Sequence, residues 1–244
     1  DAPLPRFDAA IPRVPTTETL YGTAVVRQLE AMGVYTPNTA VAIQRSRDKL
    51  RCLQVLSRHD IPMPVTAFGH ARQDVKGLIR AVGGPPLVVK LLEGTQGVGV
   101  VLCETQNVAE AVIESFRNLN AHMLVQAFVK EARGQDVRCF VVGNRVVASM
   151  LRTAPPGEFR SNVHRGGVAT KVEATEAEKD VAIRAAAALN LKLAGVDLLR
   201  GEKGPLLIEV NSSPGREGIE RATGQDVAGA VVRYIAKRAR EQKK

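Results

Sequence analysis

The run Leu207-Ile208-Glu209-Val210-Asn211 sets a carboxylate and a carboxamide two residues apart in an apolar stretch, and Ser-Ser-Pro-Gly ends it. Side chains i and i+2 of a strand share a face, so Glu209 and Asn211 point the same way. Upstream, AGVDLLR carries Asp197 in a second apolar strand, and the intervening Gly-Glu-Lys-Gly reads as a hairpin turn. A turn centred near Lys203 sets Asp197 opposite Glu209. Two carboxylates facing each other in an apolar hairpin repel, and one is driven to take a proton. A divalent cation removes that conflict. Asp, Glu and Asn oxygens suit a hard ion such as Mg²⁺, which keeps waters and completes its shell with phosphate oxygens. The competing reading is an edge strand with one wet face.

A phosphate source is suggested by VVK (88–90) followed by Glu93-Gly94-Thr95-Gln96-Gly97-Val98-Gly99. A strand lysine supplies a point charge, and a glycine loop supplies backbone N–H groups that wrap phosphate oxygens. Walker A is absent, and no GxGxxG follows a strand and opens a helix. Protein kinases place the glycine loop before the strand lysine, whereas here Lys90 comes first. No Ser, Cys or His falls into a recognisable triad, and the four histidines have no zinc-ligand spacing.

These residues need elements to carry them. A helix is expected from Ser46 through RDKLRCLQVLSRHD, stopped by Pro62 and Pro64. Strands are expected at 65–68, 86–92, 100–103 and 123–129, and helices at 74–83 and 107–119. DVRCFVVGNRVVASMLR (136–152) is a hairpin about Gly143-Asn144. The polar loop RSNVHRGG (160–167), an Ala-rich helix, the hairpin holding Asp197 and Glu209, and a terminal helix complete the chain. Interleaved helices and hairpins make the fold α/β (α+β), without repeats. The proline-rich opening, residues 1–43, reads as the end of a preceding domain and as the middle of a longer protein.

Over 244 residues, 45% apolar and 24% charged residues describe a soluble globular chain, and no apolar run is long enough for a membrane span. Cys52, Cys103 and Cys139 form no CxxC and read as buried reduced thiols, which points to a cytosolic (cytoplasmic) setting. The net charge of +9 favours anionic partners and is heaviest in the basic tail YIAKRAREQKK. Aromatics at 4%, not interleaved with basic residues, give no direct nucleic-acid site.

Taken in order, Lys49 in SRDKL, Lys90 before its glycine loop, QAFV (126–129), DVRCFV (136–141), RSNVHRGG, Asp197 and EVNSSPG resemble the ATP-grasp superfamily. Within it the chain looks most like the RimK-type ligases, which add glutamate to the C-terminal end of the sixth small-subunit ribosomal protein. The resemblance implies two α/β subdomains clasping ATP: residues 44–126 with the glycine loop and 127–244 with the metal site, after the truncated preceding domain in 1–43. It implies that Lys49 and Lys90 hold phosphates beneath the loop of Gly94, Gly97 and Gly99. The backbone of Gln126, Ala127, Phe128 and Val129 would meet the adenine edge, although Ala127 stands where many relatives carry an acid. Asp136 would contact the nucleotide on its ribose side, and Arg160, Ser161 and Asn162 would line the phosphates. Asp197, Glu209 and Asn211 would hold two Mg²⁺, with Mn²⁺ as an alternative, and Arg165 with Lys90 would steady the transferring phosphoryl group.

The expected partners are ATP, L-glutamate and the C-terminal tail of a ribosomal protein, with a homo-oligomer, a tetramer by family expectation. The reaction implied is ATP-dependent carboxylate–amine ligation through an acyl phosphate. Its rivals are a small-molecule amino-acid or peptide ligase of the same fold and a non-catalytic basic RNA- or ribosome-binding module. Two simpler readings stay open. Lys49 could be an exposed helix lysine, and Asp136 could pair with Arg138 at the surface.

Overall fold

The computed structural model describes residues 7–69, 74–92, 99–161 and 166–242. The chain opens with helices α1 (Thr19–Ala31), α2 (Ala40–Arg47) and α3 (Lys49–Arg58). A single helix from Ser46 was the expectation; the structure breaks it at Asp48. That residue leaves the helical backbone, and its side chain accepts the Arg51 N–H at 3.0 Å, the act of an N-cap. The break makes Lys49 the first residue of α3.

An antiparallel sheet follows, made of β1 (Thr66–Gly69), β2 (Leu87–Leu91), β3 (Val100–Cys103) and β4 (Met123–Ala127) in the order β1-β4-β2-β3. Helices α4 (Val75–Ala81) and α5 (Gln106–Asn118) pack on one face through Leu78, Ile79, Ala109 and Ile113 against Leu87, Val89, Met123 and Val125. The alternating residues Val88, Lys90, Leu124 and Gln126 therefore occupy the other face. The strand expected over 123–129 stops at Ala127, and Phe128 and Val129 lie beyond it.

A second antiparallel sheet is built from β5 (Gln135–Val142), β6 (Arg145–Thr153), β7 (Val168–Lys171), β8 (Leu193–Gly201) and β9 (Gly204–Asn211), in the order β7-β6-β5-β8-β9. Helix α6 (Glu176–Ala188) covers one face, burying Val137, Cys139, Val141, Val196, Leu198, Leu207 and Val210. On the opposite face, α7 (Glu217–Thr223) and α8 (Val227–Gln242) cover the half bearing Phe140, Val142, Met150 and Leu193. The other half of that face carries the charged residues.

Strand β9 is the sheet edge, as the simpler sequence reading had it, and the Leu207 N–H is taken by the Pro62 carbonyl at 2.8 Å. Its register has one irregularity. Gly201 pairs with Gly204, so the turn is Glu202-Lys203, and an unbroken ladder from there would set Asp197 opposite Ile208. A β-bulge at Ile208 shifts the ladder by one residue and pairs Asp197 with Glu209. The same shift lets both Leu207 and Val210 face α6.

All three cysteines are buried and unpaired, and burial pushes the Cys52 and Cys139 thiols up to about 12. No helix among the described residues is long and apolar enough to cross a membrane.

The N-terminal segment is clipped to the end of β9. Asn38 is 1% exposed; its Nδ2 donates to the Leu193 and Ser212 carbonyls at 2.7 and 2.8 Å, and its Oδ1 accepts from the Lys192 and Leu193 N–H groups at 2.8 and 3.0 Å. Arg13 donates to the Pro214 carbonyl at 2.6 Å. Asn38→Ala strips four partners from buried main chain. Urea unfolding should show a loss of about 2–4 kcal/mol, several bonds at roughly 1 kcal/mol each.

Candidate active site

Strand alternation puts Asp136 and Arg138 of β5, Arg152 of β6, Asp197 of β8, and Glu209 and Asn211 of β9 on one face of the five-stranded sheet. Pairing sets Asp136 opposite Arg152, Arg138 opposite Asp197, and Asp197 opposite Glu209. Arg138 grips Asp197 with two bonds, Nε to Oδ1 at 2.7 Å and Nη2 to Oδ2 at 2.6 Å. Arg152 reaches the same Oδ2 at 2.9 Å and also holds Asp136 through Nε–Oδ1 at 2.6 Å and Nη2–Oδ2 at 2.8 Å. The Ser161 hydroxyl donates to Asp136 as well.

This arrangement corrects one expectation. Asp136 and Arg138 do not pair with each other at the surface; each bonds across the sheet, and Asp136 is only 4% exposed. Three bonds from Arg152 and Ser161 hold the Asp136 carboxylate within the sheet, and Oδ1 accepts one of them.

The charges are unevenly met. Burial raises the proton affinity of Asp197, but Arg138 and Arg152 outweigh it and hold that carboxyl below the ordinary range. Asp136 is pushed up by burial and by the neighbouring Asp197. Glu209 is pushed up too, by burial first and then by Asp197 across the ladder. Solvent reaches the Glu209 side chain, yet the protein around it displaces enough water to disfavour its charge. The Asn211 carboxamide is best oriented with its nitrogen on Glu209 Oε1 and its oxygen on Arg138 Nη2, both at 3.3 Å.

The donor set fits a hard divalent cation. Glu209 has a raised proton affinity, the mark of a carboxylate short of positive charge. A carboxylate offers about four lone-pair sites, and the three guanidinium bonds to Asp197 leave room at Oδ1, which takes one of them. Asn211 adds an amide oxygen. Two acids and an amide make the set, and among the described residues no group of three His, Cys, Asp or Glu side chains is placed for a metal.

The inner face of the first sheet supplies the cations. Lys90 is brought down to about 8, chiefly by burial and further by Lys49, while Glu209 acts in the opposite direction. Lys49, at the head of α3, is half-buried rather than an exposed helix lysine, and its ammonium donates to the Leu92 carbonyl at 2.6 Å, where the glycine loop begins. Burial lowers its proton affinity also. Gly99 closes that loop at φ +71°, where a Cβ would lie 2.7 Å from the Leu91 side chain. Gly94, Gly97, Asn162 and Arg165 lie outside the described residues.

In the segment between the sheets, the Ala127 N–H is taken by the Val65 carbonyl at 2.9 Å and the Phe128 N–H by the Pro86 carbonyl at 3.3 Å. The Val129 carbonyl accepts from Ala132 at 3.3 Å. The Phe128 carbonyl and the Val129 N–H have no main-chain partner among the described residues. Phe128 stacks edge-on against Phe159 with ring centres 6.2 Å apart. Arg160 holds Glu158 through Nε–Oε1 at 2.9 Å and Nη2–Oε2 at 2.7 Å, bringing that carboxyl down to about 2. Its Nη1 also reaches the Val100 carbonyl of β3 at 3.4 Å. The sequence reading gave no role to Arg152 or to the Gln126 side chain. Arg152 was findable by counting outward from Gly143-Asn144, had the bulge in that hairpin been known.

Lys90 of the first sheet and Lys49 of α3 thus both lie within the electrostatic reach of Glu209 in the oxygen-rich cluster of the second sheet. The family model of the RimK-like ATP-grasp domain matches residues 46–235, and that of the RimK pre-ATP-grasp domain matches residues 1–43. The chain belongs to the RimK-like ATP-grasp family. Membership makes it an ATP-dependent ligase. It is 60% identical over 236 residues to a Picosynechococcus sp. protein named "Probable alpha-L-glutamate ligase", covering 97% of this chain and 78% of that one. A RimK domain protein of Sphaerobacter thermophilus has a similar structure, with TM-score 0.69 and 26% identity over 95% of this chain and 82% of that one. The ATP-grasp ligase PsnB, solved with a precursor variant, Mg and ADP, shares the fold with TM-score 0.70 and 20% identity over 93% of this chain and 69% of that one.

Arg152 sits 5% exposed between two acids that are 4% and 2% exposed. Arg152→Met leaves Asp136 and Asp197 facing each other without their shared cation. Chemical denaturation should show a loss of about 3–5 kcal/mol, the usual cost of breaking a buried ion pair from one side.

Proposed function

We propose that this RimK-like protein adds L-glutamate to a C-terminal carboxylate in an ATP-dependent reaction, and that its acceptor is the tail of the sixth small-subunit ribosomal protein. The observation that carries the reading is the pairing of Asp197 with Glu209, whose charge acts on Lys90, in a chain whose close relatives bear the name alpha-L-glutamate ligase. The family resemblance is what supports the particular acceptor.

A carboxylate oxygen of the acceptor attacks the γ-phosphorus of ATP, the bond from that phosphorus to the ADP oxygen breaks, and an acyl phosphate and ADP result. The glutamate amine then attacks the acyl carbon. Phosphate leaves with the former carboxylate oxygen, the amine loses a proton, and an amide remains. A free carboxylate makes a poor acyl donor, and phosphorylation provides the leaving group.

Phosphoryl transfer asks a protein mainly for positioning and charge neutralisation. Lys90 and Lys49 would meet the phosphates, and the Phe128 carbonyl and Val129 N–H would read the adenine edge. Asp197, Glu209 and Asn211 would hold Mg²⁺, which offsets the charge of the triphosphate. Arg138 and Arg152 keep Asp197 ionised and fixed in direction.

Two measurements test this. Incubation with ATP, Mg²⁺ and labelled glutamate, with and without the ribosomal protein, should place label in that protein and release ADP. Glu209→Gln should lower the rate by about 10²–10³, the range for losing one electrostatic group at a transition state. Label appearing only in a small product overturns the protein acceptor, and undiminished turnover in the variant overturns the site. The second measurement is pH dependence. A lysine titrating at about 8 is charged below that pH and neutral above it. ADP affinity followed by calorimetry should be level up to about pH 8 and then fall, by at most about tenfold per unit, as Lys90 loses its proton.

A further inference from the structure

Gln126 is 5% exposed on the inner face of the four-stranded sheet. On β4 it stands opposite Thr66 of β1 on one side and Val88 of β2 on the other. Lys90, two residues along β2, is therefore its diagonal neighbour, a separation that long side chains span.

Hydrogen bonds run in one direction through this row. The Thr66 hydroxyl donates to the Pro64 carbonyl at 2.8 Å. A carbonyl only accepts, so the hydroxyl proton is committed there. The Thr66 oxygen then takes a proton from Gln126 Nε2 at 2.8 Å. That bond settles the orientation of the carboxamide and leaves Oε1 toward β2, where the Lys90 ammonium donates to it at 2.6 Å.

Orientation and neutrality both matter. A turned amide would set an NH₂ group against an ammonium. A carboxylate in the same place would bind the ammonium more tightly and cancel its field. The charges that act on Lys90 come from other elements, Glu209 of β9 and Lys49 of α3. Within its own sheet Lys90 is fixed by a partner without charge. The adenine contact expected of residues 126–129 is a main-chain contact and gives the Gln126 side chain nothing to do.

We propose that Gln126, oriented by Thr66, is the positioning residue for Lys90: a neutral clamp that aims the ammonium at nucleotide phosphates without discharging it. This rests on the nucleotide-binding reading above.

The test is calorimetric affinity for Mg·ADP on the whole chain, with melting temperature recorded alongside. Gln126→Met and the isosteric Gln126→Glu should each weaken binding about tenfold, the range for a hydrogen bond to a charged group. Thr66→Val should weaken it by about threefold, and Thr66→Ser, which keeps the hydroxyl, should restore it. In a Lys90→Met background Gln126→Met should change affinity by less than about twofold, because the clamp has nothing to hold. Unchanged affinity in both Gln126 variants overturns the proposal. So does a loss of equal size in the Lys90→Met background, which would mark a merely structural role. Should the Gln126 variants fail to fold, the Thr66→Val and Thr66→Ser pair decides. A wild-type chain that binds no Mg·ADP overturns the nucleotide reading itself, a result distinct from wild-type binding that the variants share.

Discussion

Asp197 and Glu209 face each other across β8 and β9, and like charges directly opposite are destabilising unless positive charge is supplied nearby. The surroundings can be ordered by how they meet that demand. Asp197, the more buried of the two, receives permanent counter-ions from Arg138 and Arg152. Guanidinium suits that duty because it keeps its proton and bonds a carboxylate with a planar fork. Glu209 receives only the more distant fields of Arg138, Lys90 and Arg152, and it keeps a raised proton affinity. One acid is thus fixed and ionised while the other is left in want of a cation. The proposed metal role of the pair rests on that asymmetry.

The pairing exists because of a single residue. Without the bulge at Ile208, Asp197 would face an isoleucine, and the alternation beyond it would send Glu209 toward α6. Much else was readable in advance: both hairpins, the alternating strands, the helices from their apolar spacing, and the face shared by Glu209 and Asn211. These signals are local, carried by residues within a few positions of one another. The bulge, the break at Asp48 and the partners of Asp136 are not local. A bulge depends on which side chains the opposite helix will bury, here Leu207 and Val210 together. Asp48 was read as a helical position although Asp favours caps, because the apolar stripe runs on beyond it. The partners of Asp136 were hidden because nothing in its own strand shows that Arg152 and Ser161 lie within reach.

The two sheets handle charge in opposite ways. On the second, Asp136, Asp197, Arg138 and Arg152 are interlocked by short bonds and largely closed to water, so their geometry is set before any substrate arrives. On the first, Lys90 is held by a neutral oxygen, that of the Gln126 amide. Neutral acceptors fix a cation's position and leave its charge for an incoming anion. A carboxylate in place of that amide would offset the lysine's charge and weaken its attraction for phosphate.

Burial has opposite consequences for the two kinds of group. It raises Glu209 toward its protonated form and lowers Lys90 toward its neutral form. Each shift reports an unmet electrostatic demand, and the demands are complementary: Glu209 lacks a nearby positive charge, and Lys90 lacks a nearby negative one. A magnesium–polyphosphate complex carries both, with its metal on one side and its oxygens on the other. With Glu209 ionised, the carboxylates of Asp136, Asp197 and Glu209 outnumber the guanidiniums of Arg138 and Arg152 on this face, so the excess charge there is negative and sits on Glu209. Arg138 and Arg152 thus confine the unmet demand to one acid, and under the proposed function a metal carried by the nucleotide would answer it.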